Sequence, residues 1–163
     1  MNFDKIKSHA KINVALNITG KTNSFHKIES VISFISLHDE IFIRETKSKT
    51  HKIFFYGEFS KNIYKNNTVS KLLRLLEKKK FLKDKKFHIK IKKKIPSKAG
   101  FGGGSMNAAN ILKYFLKKKI VKINEKEIRN ICFSIGSDVI LGLNSTNVSL
   151  KSKNGIKFFK NIY

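Results

Sequence analysis

The stretch 98–112, KAGFGGGSMNAANIL, places four glycines within five positions and continues directly into an apolar pattern of helical spacing. Glycine lets backbone N–H groups turn inward and approach a ligand without interference from a Cβ atom. The first turn of the following helix adds about half a positive charge at the same place. The stretch therefore predicts an anion site. Its expected ligands are Gly100, Gly102, Gly103, Gly104 and Ser105, the last as an N-cap whose hydroxyl can also meet a phosphate or a magnesium ion.

Two familiar phosphate loops do not fit these residues. The Walker A loop requires Lys and then Ser or Thr after its last glycine, whereas Gly104 is followed by Ser105 and Met106. The dinucleotide-binding fingerprint requires a third glycine where Ser105 stands, and a later acidic residue at the end of a strand. A glycine-rich turn that binds no ligand remains the simple alternative.

A second group of polar residues is typical of proton and phosphoryl transfer. Strand alternation places Lys11 and Asn13 on the face opposite Ile12 and Val14, where a lysine beside an asparagine can orient a hydroxyl and pair with an anion. Asp138 follows the glycine break at Gly136 and lies outside any apolar pattern, which indicates a cleft. The alternatives are a solvated lysine and an aspartate that only caps a helix.

Alternating strands and helices must position these residues. Period-two apolar patterns predict a half-buried strand over Ile12–Ile18 and further strands in IESVISFISL, EIFIRE, HKIFFY and around Phe87–Ile91. Helical periodicity predicts helices over 68–82, after Ser105, and after Asn124, which with Glu127 resembles a capping box. The end of the chain predicts a hairpin turning at Asn154 and Gly155. We therefore expect one α+β domain.

Composition narrows the class of protein. No apolar run is long enough to span a bilayer, no signal peptide is visible, and a single cysteine, Cys132, suits a reducing compartment, so we expect a cytoplasmic location. The formal net charge is +24, which favours contact with phosphates. The lysines are spread through every segment and only three residues are arginine, so nucleic acid is an unlikely partner.

Three motifs together resemble the GHMP kinase superfamily. PSKAGFGGGSMNAA is similar to its central phosphate-binding motif, a proline followed by a glycine run that opens a helix. SHAKINVALNITGKTNSFHKIESV resembles the N-terminal signature of the branch that phosphorylates 4-diphosphocytidyl-2-C-methyl-D-erythritol. SIGSDV resembles the Gly-Ala-Asp-Val motif of that branch. The resemblance covers nearly all of the chain but only somewhat more than half of a typical family member.

The resemblance implies a fold, a reaction and the residues that perform it. The fold is that of ribosomal protein S5 domain 2, the N-terminal domain of GHMP kinases, over 1–163. The implied reaction is ATP-dependent phosphorylation of the 2-hydroxyl of 4-diphosphocytidyl-2-C-methyl-D-erythritol, a step of non-mevalonate isoprenoid synthesis. Asp138 is the implied general base and Lys11 its electrostatic partner. Magnesium is expected with ATP, since the sequence shows no cage for a structural metal.

The resemblance also implies binding residues. His26 matches the histidine that hydrogen-bonds the cytosine ring, Phe25 stands where a stacking tyrosine is usual, and Asn13 completes the substrate group. For the nucleotide, Asn67 matches an asparagine near the adenine and Lys93 matches a nucleotide-binding lysine. Pro96 starts the phosphate motif and Asn107 falls within the first turn of its helix.

Some positions depart from the family pattern. Ile140 replaces a proline that usually follows the catalytic Asp-Val, and Ser97, Lys98 and Ala99 replace a sequence that is often Met-Gly-Gly. No third, C-terminal glycine motif or second domain is present in the sequence. We therefore expect either a fragment of a longer protein or a reduced protein that needs another chain, which would be a separate C-terminal domain or a second copy in a homodimer. The alternative functions are a basic nucleic-acid-binding domain of the same fold and an inactive remnant.

Overall fold

Six strands form a single sheet in the computed structural model, which describes residues 2–21, 26–144, 148–151 and 155–158. The central strand is β2, and β1 pairs with it in antiparallel register from Asp4 opposite Ile43 to Lys21 opposite His26. The strands are β1 Asp4–Lys21, β2 His26–Thr46, β3 Lys52–Tyr56, β4 Lys86–Lys92, β5 Val148–Lys151 and β6 Gly155–Phe158.

The other edge of β2 is shared between two partners. Residues 40–46 pair with β4, and residues 29–32 pair with β5, which in turn pairs with β6. All these pairs are antiparallel, whereas β3 lies parallel to β4 because a helix connects them. The loop that follows β4 therefore emerges beside the middle of β2.

Three helices cover one face of the sheet, and the apolar core lies between the two layers. The helices are α1 Thr68–Lys78, α2 Gly103–Lys117 and α3 Glu125–Ile135, and a 3₁₀ helix follows over Val139–Leu143. Alternate strand residues such as Ile41, Ile43, Ile89 and Ile91 face the helices and are at most 1% exposed. Within the described ranges, no helix is both long and apolar enough to cross a membrane.

The prediction of two separate strands over 28–37 and 40–45 was wrong, since β2 is continuous through both segments. The polar residues around Asp39 interrupt the apolar pattern and so favoured a break. In the structure β1 pairs alongside this segment, with His9 opposite His38 and Ser8 opposite Asp39, and these backbone hydrogen bonds carry the strand through it.

The expectation of a half-buried strand over Ile12–Ile18 was also wrong in its burial. The strand forms, but Val14, Leu16 and Ile18 are 63%, 54% and 68% exposed. At 18 and 21 residues, β1 and β2 are much longer than an ordinary strand. The paired strands extend past the helical layer. The alternating apolar side chains of β1 therefore continue into a region where no helix among the described residues covers them.

The predicted helices are present with shifted ends. Helix α1 ends at Lys78, four residues before the predicted limit, and α3 begins after Asn124, whose side chain accepts a 2.9 Å hydrogen bond from the Glu127 N–H. The β5–β6 hairpin is confirmed, with Gly155 paired to Lys151 as the first residue of β6 rather than part of the turn. Asn154 lies outside the described residues.

Burial also sets the chemistry of the one cysteine. Cys132 lies in α3 with no exposed surface, and burial raises the pKa of its thiol to about 11. The thiol is therefore protonated at neutral pH and acts as an apolar core group.

The 3₁₀ helix lies directly on α2 because one of its residues has no side chain. A Cβ atom on Gly142 would stand 2.6 Å from the Cβ of Ala109 and 3.0 Å from the sulfur of Met106. Real Cβ contacts are not that short, so this close approach requires glycine. It fixes the distance between α2 and the segment that carries Asp138.

Gly142→Ala is therefore expected to lower the free energy of unfolding by about 1–3 kcal/mol, because the added methyl group forces the two helices apart. The matched control is Gly136→Ala, whose Cβ would meet its nearest neighbours at 3.8 and 3.9 Å, an ordinary contact. Urea denaturation followed by circular dichroism measures both. Equal midpoints for the two variants would contradict this account of the packing.

Candidate active site

A cavity of about 330 Å³ lies where the glycine loop (96–104) meets the end of β4 and the start of α1. All the residues expected to bind a nucleotide line this one cavity, although they come from four different parts of the chain. They are Asn67, Lys93, Pro96, Gly100, Gly102, Gly103, Gly104, Ser105 and Asn107.

The backbone of the loop takes conformations that glycine favours. Gly100 and Gly102 have φ angles of +77° and +67°, in the left-handed region where an L side chain is strained. Lys98 adopts a φ of +62° in the same loop, at one of the positions where glycine is usual in the family pattern. The loop therefore keeps its turn at Lys98 with an added positive charge on its rim.

The prediction that Ser105 is the N-cap of the loop helix was wrong. Helix α2 begins at Gly103 and its N-cap is Gly102, so Ser105 is the third helical residue. The left-handed turn at Gly102 starts the helix three residues earlier than a cap at Ser105 would. The Ser105 side chain is thus released from capping, and the residue is one of those that line the cavity.

Strand β1 holds the other side of the loop. The Lys11 N–H donates a 3.0 Å hydrogen bond to the Phe101 carbonyl oxygen. The aliphatic part of the Lys11 side chain then passes over Gly102, where a Cβ atom would stand 3.0 Å from the lysine Cγ. Gly102 therefore leaves the space through which the lysine reaches the site.

The end of that side chain meets the predicted general base. Lys11 Nζ lies 3.4 Å from Asp138 Oδ2 and donates a 3.3 Å hydrogen bond to Asn13 Oδ1. Asp138 precedes the 3₁₀ helix, but within the described part of the chain its side chain makes no capping hydrogen bond. The three residues predicted from β1 and from SIGSDV thus come together, and the capping alternative for Asp138 is not what the structure shows.

The exposure of the pair suits proton transfer. The Lys11 side chain is 8% exposed and that of Asp138 is 38% exposed. The ammonium group is therefore held in place by burial, while part of the carboxylate is exposed and open to a ligand. Neither residue is in the lining of the cavity itself, which the pair adjoins through the contact of Lys11 with the loop. A positioned carboxylate can accept the proton of a hydroxyl, and a buried cation beside it offsets negative charge as it develops.

Sequence reasoning missed Asp39, which lies behind the glycine loop with no exposed surface. Its Oδ1 accepts hydrogen bonds from the N–H groups of Lys94 and Ile95 at 2.8 and 2.9 Å. Its Oδ2 accepts a 2.8 Å hydrogen bond from Asn107 Nδ2 and is paired with the Lys93 ammonium group. The sequence does place this aspartate between two apolar runs that belong to one strand. A charge at such a position is costly without partners, so it indicates a buried ion pair or hydrogen-bond network.

The ammonium group predicted to meet the nucleotide is therefore already engaged. Lys93 is 4% exposed, and its Nζ lies beneath the loop, 3.2 Å from where a Cβ of Gly103 would stand. Asn67 is similar, because its Oδ1 caps α1 by accepting from the Val69 and Ser70 N–H groups. Both residues line the cavity, but the structure uses their side chains to hold its walls.

Helix α1 is also tied to the loop. The Thr68 hydroxyl donates a 2.6 Å hydrogen bond to the carbonyl oxygen of Gly104, so the first turns of α1 and α2 face each other at the cavity.

Of the residues predicted to bind the cytosine ring, Phe25 lies outside the described residues, and His26 is placed only by its backbone, at the start of β2. Among the residues described, no cluster of His, Cys, Asp and Glu side chains is arranged to hold a metal ion.

The chain matches a known protein family over the part that contains this site. The family described as "GHMP kinases N terminal domain" matches residues 67–150, which are 84 of the 163 residues and include the glycine loop and Asp138. The chain belongs to the GHMP kinase family.

Curated relatives of this GHMP kinase chain share one name. It is 58% identical over 161 residues to the 4-diphosphocytidyl-2-C-methyl-D-erythritol kinase of Pelagibacter ubique, a match covering 99% of this chain and 57% of that protein. It is 33% identical to the kinase of that name from Thermotoga maritima, with 83% of this chain and 47% of that protein covered. The chain thus spans about half the length of these relatives.

Solved structures agree on the fold. A crystal structure of 4-(cytidine 5'-diphospho)-2C-methyl-D-erythritol kinase matches with a TM-score of 0.77 and 19% identity, over 96% of this chain and 55% of that one. A homoserine kinase from Cytophaga hutchinsonii matches with a TM-score of 0.65 and 18% identity, over 98% and 52% of the two chains. The expectation of the α+β fold of the GHMP kinase N-terminal domain is confirmed.

The two carboxylates of the site are expected to differ in their effect on stability. Asp138→Asn should change the free energy of unfolding by about 1 kcal/mol or less, since partly exposed ion pairs contribute little. Asp39→Asn should cost about 3–5 kcal/mol, because it disrupts a buried ion pair. Thermal unfolding of both variants measures the difference. A large loss of stability in Asp138→Asn would indicate a structural role for that residue.

Proposed function

We propose that the chain is the N-terminal domain, over 1–163, of an enzyme that uses ATP to phosphorylate the 2-hydroxyl of 4-diphosphocytidyl-2-C-methyl-D-erythritol in isoprenoid synthesis in the cytoplasm. The single observation that carries the proposal is the meeting of Lys11 and Asp138 beside the glycine loop. The names of the relatives provide the acceptor, which the described residues alone do not specify.

The cavity would hold the phosphates of ATP. The loop backbone and the first turn of α2 present N–H groups and the positive end of the helix dipole. The Ser105 hydroxyl in the same wall can donate to a phosphate oxygen. Asn67 and Pro96 line the same cavity, and we assign Asn67 to the adenine end of the nucleotide and Pro96 to the start of the phosphate loop, as the sequence motifs imply.

Asp138 and Lys11 would act on the acceptor hydroxyl. Asp138 accepts the proton of the attacking hydroxyl, while Lys11 orients that oxygen and balances the negative charge that develops on it. Asn13 holds the lysine Nζ through its amide oxygen, which limits the directions that the ammonium group can take. His26 and Phe25 are assigned to the cytosine ring, and Asn13 to the acceptor, from the sequence motif alone.

Magnesium would enter with ATP rather than through a resident site. A magnesium ion of this type keeps several waters and binds the phosphates together with one or two protein oxygens. The cavity fits that need, since the Ser105 hydroxyl lies in its wall free of a capping role. When bound, the ion neutralises charge on the phosphates.

The diffuse positive charge suggested a nucleic-acid-binding domain as an alternative. None of the relatives or solved structures described above is a nucleic-acid-binding protein, and the two catalytic candidates meet in a geometry that nucleic-acid binding would not require. The first experiment is calorimetry of the chain with MgATP, AMP and a short RNA at physiological salt. We expect MgATP to bind more tightly than AMP, and sequence-selective RNA binding without an ATP signal would contradict the proposal.

Gly103→Val is expected to weaken MgATP binding at least tenfold, on the order of the loss caused by small displacements of a binding group. A Cβ atom there would stand 3.1 Å from Ile95 Cγ2, so a branched side chain would push the first turn of α2 away from the end of β4. The control is Gly136→Ala, which lies outside the cavity lining and whose added atom would meet its nearest neighbours at 3.8 and 3.9 Å, an ordinary contact. Calorimetry measures both, and parental affinity in Gly103→Val would show that the loop is not the phosphate site.

Turnover is expected to need more chain than residues 1–163, because the relatives are longer and a one-sided cleft holds donor and acceptor poorly. A chimera that joins the chain to the remaining length of the Pelagibacter ubique relative tests this. In it, Asp138→Asn should lower kcat on the order of a hundredfold or more, and Lys11→Ala comparably.

The controls for that assay are Asp84→Asn and Lys7→Ala, which remove the same charges at exposed positions. The measurement is ATP-dependent formation of the 2-phosphorylated product. If the chimera keeps full rate with Asp138→Asn, Asp138 is not the base. A second wall could also come from a homodimer, which sedimentation of the chain would reveal.

A further inference from the structure

Behind the glycine loop lies a closed group of polar side chains that the reaction does not use. Asp39 of β2 is 0% exposed, Lys93 is 4% exposed and Asn107 of α2 is 1% exposed. A buried carboxylate is costly unless its oxygens are fully hydrogen-bonded. Here four donors form hydrogen bonds to its two oxygens. These bonds compensate the desolvation of the carboxylate only while every donor keeps its position.

The donors come from both ends of the loop. Lys93 and the N–H groups of Lys94 and Ile95 belong to the segment that leaves β4, whereas Asn107 belongs to the second turn of α2. Asp39 therefore fixes the beginning of the loop and the helix after it to the same point on β2. The glycines between these two anchors contribute flexibility and no side chains of their own.

Asp39 also determines the orientation of the Asn107 amide. Because Nδ2 donates to the carboxylate, Oδ1 points elsewhere, and within the described residues it is buried without a hydrogen-bond partner. An unpaired buried acceptor is normally avoided. The opposite orientation would place the amide oxygen against a carboxylate oxygen, and two acceptors cannot share a hydrogen bond.

We propose that Asp39 is a positioning residue for the nucleotide site, which acts by holding the two ends of the glycine loop at a fixed separation. This inference rests on the proposed function, since it assumes that the loop N–H groups bind phosphate. A loop with several glycines would otherwise lose conformational freedom when ATP binds, and that loss would weaken binding. Because Asp39 holds the loop in place when the protein folds, most of that conformational freedom is already lost before ATP binds.

The pairing with Lys93 adds a second effect. A lone carboxylate beneath the loop would repel phosphate, and the Lys93 ammonium group cancels that charge at the same place. The network therefore orders the loop without adding negative charge under it. The ammonium group is held by Asp39 and acts on the nucleotide through the position of the loop.

The test is amide hydrogen exchange of the ligand-free chain combined with MgATP titration. Asp39→Asn keeps the shape of the side chain but replaces one carboxylate oxygen with an NH₂ group. An NH₂ group cannot accept the hydrogen bonds that Lys93 Nζ and Asn107 Nδ2 donate to Asp39. We expect the amides of Lys11 and Met106, which bond to Phe101 and Gly102 of the loop, to exchange roughly tenfold faster or more. The Lys118 amide at the other end of α2, bonded to Tyr114, should not change. MgATP affinity should fall by about tenfold or more.

The matched control is Leu82→Ala, a fully buried core position beyond the end of α1 that is far from the loop. It lowers stability without touching the network, and it should leave MgATP affinity within about twofold at a temperature where both variants are folded. A milder second variant, Asn107→Leu, removes only the link between Asp39 and α2. We expect it to raise exchange at Met106.

The outcomes separate this inference from the proposed function. If Asp39→Asn and Asn107→Leu leave exchange at Lys11 and Met106 as in Leu82→Ala, Asp39 does not position the loop. If Asp39→Asn binds MgATP as tightly as the parent or more tightly, the position of the loop does not depend on Asp39 for nucleotide binding and the inference is overturned. If the parent itself binds no MgATP, the proposed function fails, while hydrogen exchange still decides whether Asp39 holds the loop.

Discussion

The geometry of this domain depends on one carboxylate that has no access to water. Asp39 must find all its hydrogen-bond donors inside the protein, and they come from the end of β4 and from α2 as well as from its ion-pair partner. Satisfying that group fixes three elements relative to one another at the point where the loop leaves the sheet. An apolar side chain in its place would fill the space but would not set the directions of those backbone N–H groups.

The catalytic candidates are held in a different way. Lys11 is fixed through its main chain, which pairs with the loop, and through the space that Gly102 leaves for its stem. Asp138 is placed by the close contact of Gly142 with α2 and by the short 3₁₀ helix that follows it. The two side chains therefore meet because backbone segments approach closely, and their mutual attraction adds little to the fold. Such an arrangement leaves the position of the carboxylate independent of the ion pair, so the site does not rely on that pair for its structure.

Local patterns predicted the elements that periodicity encodes. The apolar spacing of α1 and α2, the Asn124 cap of α3, and the alternation that puts Lys11 and Asn13 on one face are all present. Non-local pairing was harder to predict. Asp39 looked like a strand break because its partners lie more than fifty residues away, and Ser105 looked like a cap because the left-handed turn at Gly102 is not visible in composition. Exposure of Val14 to Ile18 likewise depends on where the helical layer ends.

That exposed ribbon gives the large positive charge a physical role. Between Lys11 and Lys21 the sequence of β1 contains no charged residue, and Val14, Leu16 and Ile18 are exposed. Among the described strands β1 pairs only with β2, so its outer edge presents backbone groups suited to joining another strand. A formal charge of +24 makes every copy of the chain repel every other, which keeps such edges apart in dilute salt. Solubility of the domain is thus coupled to ionic strength. At physiological salt the Debye length is about 8 Å. Salt therefore first removes the repulsion between copies of the chain that are farther apart than this distance.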